Sequence, residues 1–199
     1  MGTSLIYRSS SLYQLAIRIL YGRHYRARYH AIAGLIPREA SVLDLCCGPG
    51  ILYSGFLHTK RVTYTGLDLN PRFIERIVRT GGEGKVWDLR EPAPLPAASH
   101  VIMQASLYHF LPDPKPIFER MLAAAASQVI VAEPVRNLAT ATSPLLSFAG
   151  RLLTNPGTGS QQLRFTEAKL DSFFAEYSHQ LRRSFLIPGG REKIYVFDV

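Results

Sequence analysis

The stretch Ser41-Val42-Leu43-Asp44-Leu45-Cys46-Cys47-Gly48-Pro49-Gly50 decides the fold, because Gly66-Leu67-Asp68-Leu69-Asn70 answers it downstream. An aliphatic, β-branched run leads into a glycine turn, a helix follows, and a second apolar run ends in a carboxylate. In open parallel sheets this arrangement binds an adenosine-containing cofactor. The glycines let the backbone approach the ligand, and the acid after the second strand accepts hydrogen bonds from the ribose hydroxyls.

The pattern is not a dinucleotide fingerprint, since the third glycine of G-x-G-x-x-G is replaced by Tyr53. A bulky residue there is expected to push the helix off the strand, and Pro49 removes an N–H that a pyrophosphate would need. Residues 42–50 instead resemble motif I of the class I S-adenosylmethionine-dependent methyltransferases. Further strand-end signals follow in that family's order. Lys85-Val86-Trp87-Asp88-Leu89 resembles its third strand, Ser99-His100-Val101-Ile102-Met103-Gln104 its fourth, and Ser127-Gln128-Val129-Ile130-Val131-Ala132-Glu133-Pro134 its fifth. A hairpin closes the fold, with residues 181–187 and 192–199 flanking Pro188-Gly189-Gly190.

The resemblance covers most of the chain from about Tyr25 onward. It implies an α/β, Rossmann-like fold: a seven-stranded, mostly parallel sheet in the order 3-2-1-4-5-7-6, with an antiparallel last strand and helices on both faces. The implied cofactor is S-adenosyl-L-methionine. Carried over by position, Asp44, Cys46 and the backbone of Gly48 and Gly50 serve the methionine end, together with Gln104. Asp68 serves the ribose, Leu69 one adenine face, and Asp88 and Leu89 the adenine edge. Cys46-Cys47 and Pro49 depart from the family's commonest form and leave the loop geometry open.

Composition agrees with one domain over 1–199, divided into an N-terminal helical cover (1–37) and a Rossmann-like core (38–199) that carries a lid at 134–165. A chain of 199 residues with 47% hydrophobic content hides roughly 70% of its unfolded surface on folding. Its apolar runs fall short of the roughly 18 residues needed to span a bilayer, and Ile6 stands where a myristoylation signal needs Ser or Thr. The expectation is a cytoplasmic enzyme. The two cysteines are adjacent, so they neither staple distant segments nor offer zinc spacing. They read either as soft packing groups at a strand end or as a thiol near the cofactor.

The net charge is +8, which invites polyanions, and the basic residues concentrate near the N-terminus and at Arg182, Arg183 and Arg191. Leu12, Leu15, Ala16, Ile19 and Leu20 form the stripe of an amphipathic helix. Such a helix packs on the protein itself or, as in peripheral enzymes, on a membrane surface. Gly22 breaks it, and a second stripe of Tyr25, Tyr29, Ile32, Ala33 and Ile36 runs to Pro37. Tyr21, Tyr25 and Tyr29 gather on successive turns, either as amphipathic cover or with one hydroxyl at the cofactor.

Helices are expected over 51–58, over 71–80 with Asn70 as cap and Pro71 in the first turn, and from Asp113-Pro114 to Ala126. Residues 91–98 hold three prolines and cannot form the helix usual between the third and fourth strands. The segment after Pro134 carries an apolar stretch at 144–153 and a turn-rich stretch at 155–159. Long connections leaving a strand's carboxyl end usually roof the site.

Methyl transfer is an in-line displacement, so an oxygen nucleophile must be held in line and lose its proton. His109, beyond the fourth strand, is the candidate base, Tyr108 the candidate orienting group, and Glu133 a second candidate base. The place where nucleic-acid amino-methylating enzymes of this fold carry an acidic or amide residue and two prolines holds Gln104-Ala105-Ser106-Leu107. The expected acceptor is therefore a small or lipid-like molecule methylated at oxygen, and a nucleic-acid partner is disfavoured. No metal site is expected. Two rival classes stay open: a non-catalytic or RNA-contacting S-adenosylmethionine-binding subunit, and an NAD(P)-dependent oxidoreductase.

Overall fold

The computed structural model describes residues 18–19, 21–135 and 164–199. Its strands are β1 (Ser41–Leu45), β2 (Thr63–Asp68), β3 (Glu83–Val86), β4 (Ala98–Gln104), β5 (Ala125–Pro134), β6 (Leu181–Leu186) and β7 (Glu192–Asp198). They form a single sheet in the order β3-β2-β1-β4-β5-β7-β6. All neighbours are parallel except β7, which runs antiparallel to β5 and β6. This is the topology that the resemblance implies.

The helices are α1 (Tyr25–Ala33), α2 (Pro71–Arg79), α3 (Lys115–Ala124) and α4 (Glu167–Ala175). Strand alternation sorts the core into two layers. Leu43, Leu45, Val101, Met103, Val129 and Val131 face Ile117, Phe118 and Met121 of α3 and Leu170 and Phe174 of α4. Val42, Ile102, Ile130, Ala132, Ile194 and Val196 lie on the opposite face with Tyr25, Tyr29 and Ile32 of α1 and Ile77 of α2. Val42 to Leu45 are buried without a break, as a central parallel strand covered on both faces requires. The second tyrosine-led stripe lies wholly in the interior, from Tyr25 through Ile36.

Asn70 caps α2 through its Oδ1, which accepts from Arg72 N at 3.1 Å, and Pro71 opens the helix. No helix forms over residues 87–97. Arg120 ties that crossover to α3 by donating to the carbonyls of Leu89 (2.7 Å) and Ala93 (2.5 Å).

Three expectations are corrected. The segment after the glycine loop is not one regular helix: Tyr53–Leu57 is a π-helical turn and His58–Lys60 a 3-10 turn. Tyr53 is accommodated rather than expelled, its ring stacked on Tyr64 of β2 at 4.4 Å while the helix winds wider around it. The third strand spans Glu83–Val86, so Asp88 lies beyond it, where Trp87 N donates to the Asp68 carbonyl at 3.0 Å and the chain turns away. Finally, α3 ends at Ala124 and passes directly into β5, so Ala125 and Ala126 are extended rather than helical.

The expected N-terminal stripe around Leu12 and the expected lid segments at 144–153 and 155–159 lie outside the described residues.

Candidate active site

Register gathers the site. Leu45 stands beside Leu67 on β2 and Met103 on β4, so the Cys46 turn, Asp68 and Gln104 share the carboxyl edge of three adjacent strands. Between them and α1 lies an open cleft. Arg28, Asp44, Cys46, Gly48, Pro49 and Gln104 are among the residues lining it.

The glycine loop is held in left-handed geometry at Cys46 (φ 53°), Gly48 (φ 56°) and Gly50 (φ 68°). Gly50 has a second constraint, since a Cβ there would stand 2.7 Å from Ile77 Cγ1. Cys46 takes this conformation with a side chain attached, a strain of about 1–2 kcal/mol. Both thiols are free, and burial pushes the pKa of each upward, with the neighbouring carboxylates adding to the effect. They are protonated packing groups, Cys46 against one core layer and Cys47 against the other.

Asp68 Oδ2 accepts from Gly48 N at 2.9 Å and Oδ1 from Asn70 N at 2.8 Å. Burial raises its pKa, while the two N–H groups oppose that rise. Main-chain donors thus fix both oxygens, and each keeps acceptor capacity. Leu69 beside it is 55% exposed, an uncovered apolar side chain just past the end of β2. Asp88 forms a two-pronged pair with Arg90 at 2.9 and 2.8 Å, which holds its pKa below the usual carboxylate range. Leu89 packs its side chain into the core layer under α3.

Asp44 is buried and accepts from Tyr64 Oη at 2.7 Å. Burial lifts its pKa to about 7; the tyrosine's hydrogen bond opposes the lift and the charge of Asp68 adds to it. The motif acid therefore titrates near neutrality.

The opposite wall is a network absent from the sequence-based expectations. Glu192, fully buried on β7, accepts from Arg28 Nε at 3.0 Å and Tyr21 Oη at 2.8 Å through one oxygen, and from Gln104 Nε2 at 2.9 Å through the other. The Arg28 guanidinium lies over the Tyr21 ring at 4.3 Å and the Tyr29 ring at 5.1 Å. Of the three clustered tyrosines, Tyr21 thus serves Glu192. Arg28 reads in the sequence as one basic residue among many, and Glu192 as part of a hairpin; a separation of 164 positions hides the pair. The local signal was an arginine two turns after Tyr21 and next to Tyr29.

Tyr108 and His109 sit on the 3-10 turn Leu107–Phe110 after β4 and are not among the residues lining the cleft. Their rings lie 4.0 Å apart, and the Arg164 guanidinium lies 3.4 Å from the Tyr108 ring centre. His109 is exposed at the surface, yet desolvation of its ring, followed by the charges of Arg164 and Arg90, pushes its pKa down to about 4. It is a neutral acceptor at physiological pH, and a weaker base than an unperturbed imidazole.

Glu133, the other candidate base, is fully buried, with Oε1 accepting from Ser106 N and Leu107 N at 2.6 Å each. No group of His, Cys, Asp and Glu suited to a metal ion occurs among the described residues, and no described helix is long and apolar enough to cross a membrane.

A family model described as methionine biosynthesis protein MetW matches residues 26–140, more than half of the chain. The chain belongs to the MetW family. No curated protein matches it in sequence. Solved structures place this MetW family member in the class I S-adenosylmethionine-dependent methyltransferase fold. Magnesium protoporphyrin IX methyltransferase from Synechocystis, with bound SAH, superposes with a TM-score of 0.67 at 13% identity, over 98% of this chain and 96% of that one. A Haloferax volcanii protein solved in complex with a methyltransferase activator gives 0.64 at 13% identity, over 94% and 96%. Human N-acetylserotonin methyltransferase in complex with SAM gives 0.62 at 16%, over 97% of this chain and 57% of that larger one.

Proposed function

We propose that the chain transfers a methyl group from S-adenosylmethionine to a small-molecule acceptor at oxygen. The observation that carries this reading is the cleft, which sets a buried arginine and a buried carboxyl group beside a glycine loop at the strand ends. That donor set matches an amino-acid end: Arg28 complements a carboxylate, while Asp44 and Gln104 complement an ammonium group. Asp68, with both oxygens held by main-chain N–H groups, suits a ribose diol. Exposed Leu69 suits an adenine face, and Asp88 and Leu89 stand at the turn that would border its edge. The SAH- and SAM-bound structures of similar fold support the same cofactor.

When bound, the cofactor supplies a methyl group made electrophilic by sulfonium. The protein's part is to orient the acceptor and exclude water, which can be worth on the order of 7–11 kcal/mol. His109 would accept the acceptor's proton and Tyr108 would orient the nucleophile. The charges of Arg164 and Arg90 beside the turn would draw a hydroxyl acceptor that also carries an anionic group, and neutral His109 would take the hydroxyl proton.

Calorimetric titration with S-adenosylmethionine tests the cofactor, with binding expected in the wild type and a loss of roughly tenfold or more in Asp68→Ala. Incubation with isotopically labelled cofactor and fractionated metabolites or lipids tests the acceptor. Label is expected in an acidic small-molecule fraction, and His109→Ala should lower its transfer while leaving cofactor affinity intact. Binding of NADH in place of S-adenosylmethionine would overturn the reading.

A further inference from the structure

The turn bearing Tyr108 and His109 does not hold itself. It follows Ala105, a non-glycine residue at φ 53° whose N–H donates to the Ala132 carbonyl at 2.7 Å. It is only one short 3-10 turn, Leu107–Phe110, and its internal bonds are His109 N to Ser106 O at 3.1 Å and Leu111 N to Tyr108 O at 3.3 Å. The first two N–H groups of the segment, those of Ser106 and Leu107, have no carbonyl to meet at a strand end. Both point at one atom, Glu133 Oε1, from 2.6 Å. Side chains anchor the same place: Leu107 is fully buried, Ser106 nearly so, and Ser106 Oγ returns to the Gln104 carbonyl at 3.0 Å.

Glu133 has no exposed surface, and its second oxygen has no hydrogen-bond partner among the described residues. A residue placed to take a proton from a substrate needs an oxygen that reaches the substrate. Here the oxygen with partners is committed to the main chain.

We infer that Glu133 is a positioning residue, which fixes the Tyr108–His109 turn at the carboxyl edge of the sheet by accepting both amide protons through Oε1. The role assigned to that turn rests on the methyl-transfer reading; the latch itself does not. One acceptor oxygen is all the latch requires. Burial lifts the carboxyl pKa to about 8 against the pull of the two N–H groups, so the group already works largely as a neutral acid, and an amide offers the same carbonyl acceptor.

The experiment is amide hydrogen exchange by NMR at Ser106 and Leu107, together with calorimetry for S-adenosylmethionine and the labelled-methyl assay. Glu133→Gln is expected to keep both amides slow and to keep methyl transfer. Glu133→Asp, which retains an acid but falls one methylene short, is expected to speed exchange at both amides by roughly 10- to 100-fold and to reduce transfer without weakening cofactor binding. Loss of transfer in Glu133→Gln with both amides still protected would overturn the inference in favour of a base. Unchanged exchange in Glu133→Asp would overturn it outright. Failure of the wild type to bind the cofactor would remove the methyl-transfer reading and leave the exchange result to decide the latch.

Discussion

Glu133 and Glu192 stand one position apart across neighbouring strands, Glu133 opposite Lys193 and Glu192 opposite Pro134, and the pleat sends their side chains to opposite faces of the sheet. Both have no exposed surface. Glu192 is matched by a cation, Arg28, and by the hydroxyl of Tyr21 and the amide of Gln104. Glu133 is matched by two main-chain N–H groups and keeps its proton up to about pH 8. The same side chain is thus buried in two ways, once as half of an ion pair behind the cleft and once as a near-neutral acid that accepts from the Tyr108–His109 turn.

The contrast is broken most severely by Glu192→Leu, which leaves the Arg28 charge buried without its counter-ion. A loss of about 3–5 kcal/mol is expected, read by urea denaturation. Adding Arg28→Met should recover most of that stability while leaving cofactor affinity depressed, since the wall is then apolar.

Next in size is the pH dependence. Glu133 carries a folded-state pKa of about 8 against an unfolded value of 4.5, so the native chain binds more protons than the unfolded one within that window. The stability from this group is complete below pH 4.5 and declines as pH rises through 8. Asp44, raised from 3.8 to about 7, acts in the same sense. Denaturation at several pH values should therefore give a shallower decline in Glu133→Gln than in the wild type, and the difference isolates Glu133 from Asp44. Parallel curves would show that Glu133 is ionised in the folded state.

The smallest effect sharpens the picture of the turn. Ala105 holds φ 53° just before the latched amides, so Ala105→Gly should add stability of under about 1 kcal/mol, relief of strain being partly offset by the freer unfolded chain. Thermal melts should show a small upward shift that persists in Glu133→Gln.

Much of the fold is legible because local chemistry and tertiary demand coincide. Asn70-Pro71 starts a helix whatever surrounds it, and Tyr25, Tyr29, Ile32, Ala33 and Ile36 can bury together only as one helical face. Asp68 is equally readable, since a carboxylate after Gly66-Leu67 has few structural reasons to be there. Strand order came from the family resemblance and not from periodicity. The third strand is placed differently because Lys85-Val86-Trp87 alternates as well as Glu83-Gly84-Lys85 does; the Trp87 N–H to the Asp68 carbonyl is the last rung before the chain leaves the sheet. Arg28 and Glu192 escaped because an ion pair across the fold leaves no mark at either position. The weakened basicity of His109 likewise depends on Arg164, a residue that composition cannot bring to its side.

The ion pair joining α1 to β7 also orders events during synthesis. Arg28 leaves the ribosome well before its counter-ion, which arrives only with residue 192, so until then the helix must either leave its guanidinium in water or bury it uncompensated. The wall that would receive the amino-acid end of a cofactor accordingly matures only once the hairpin has been made. A nascent chain halted before the hairpin should hold most of its sheet and still lack that wall.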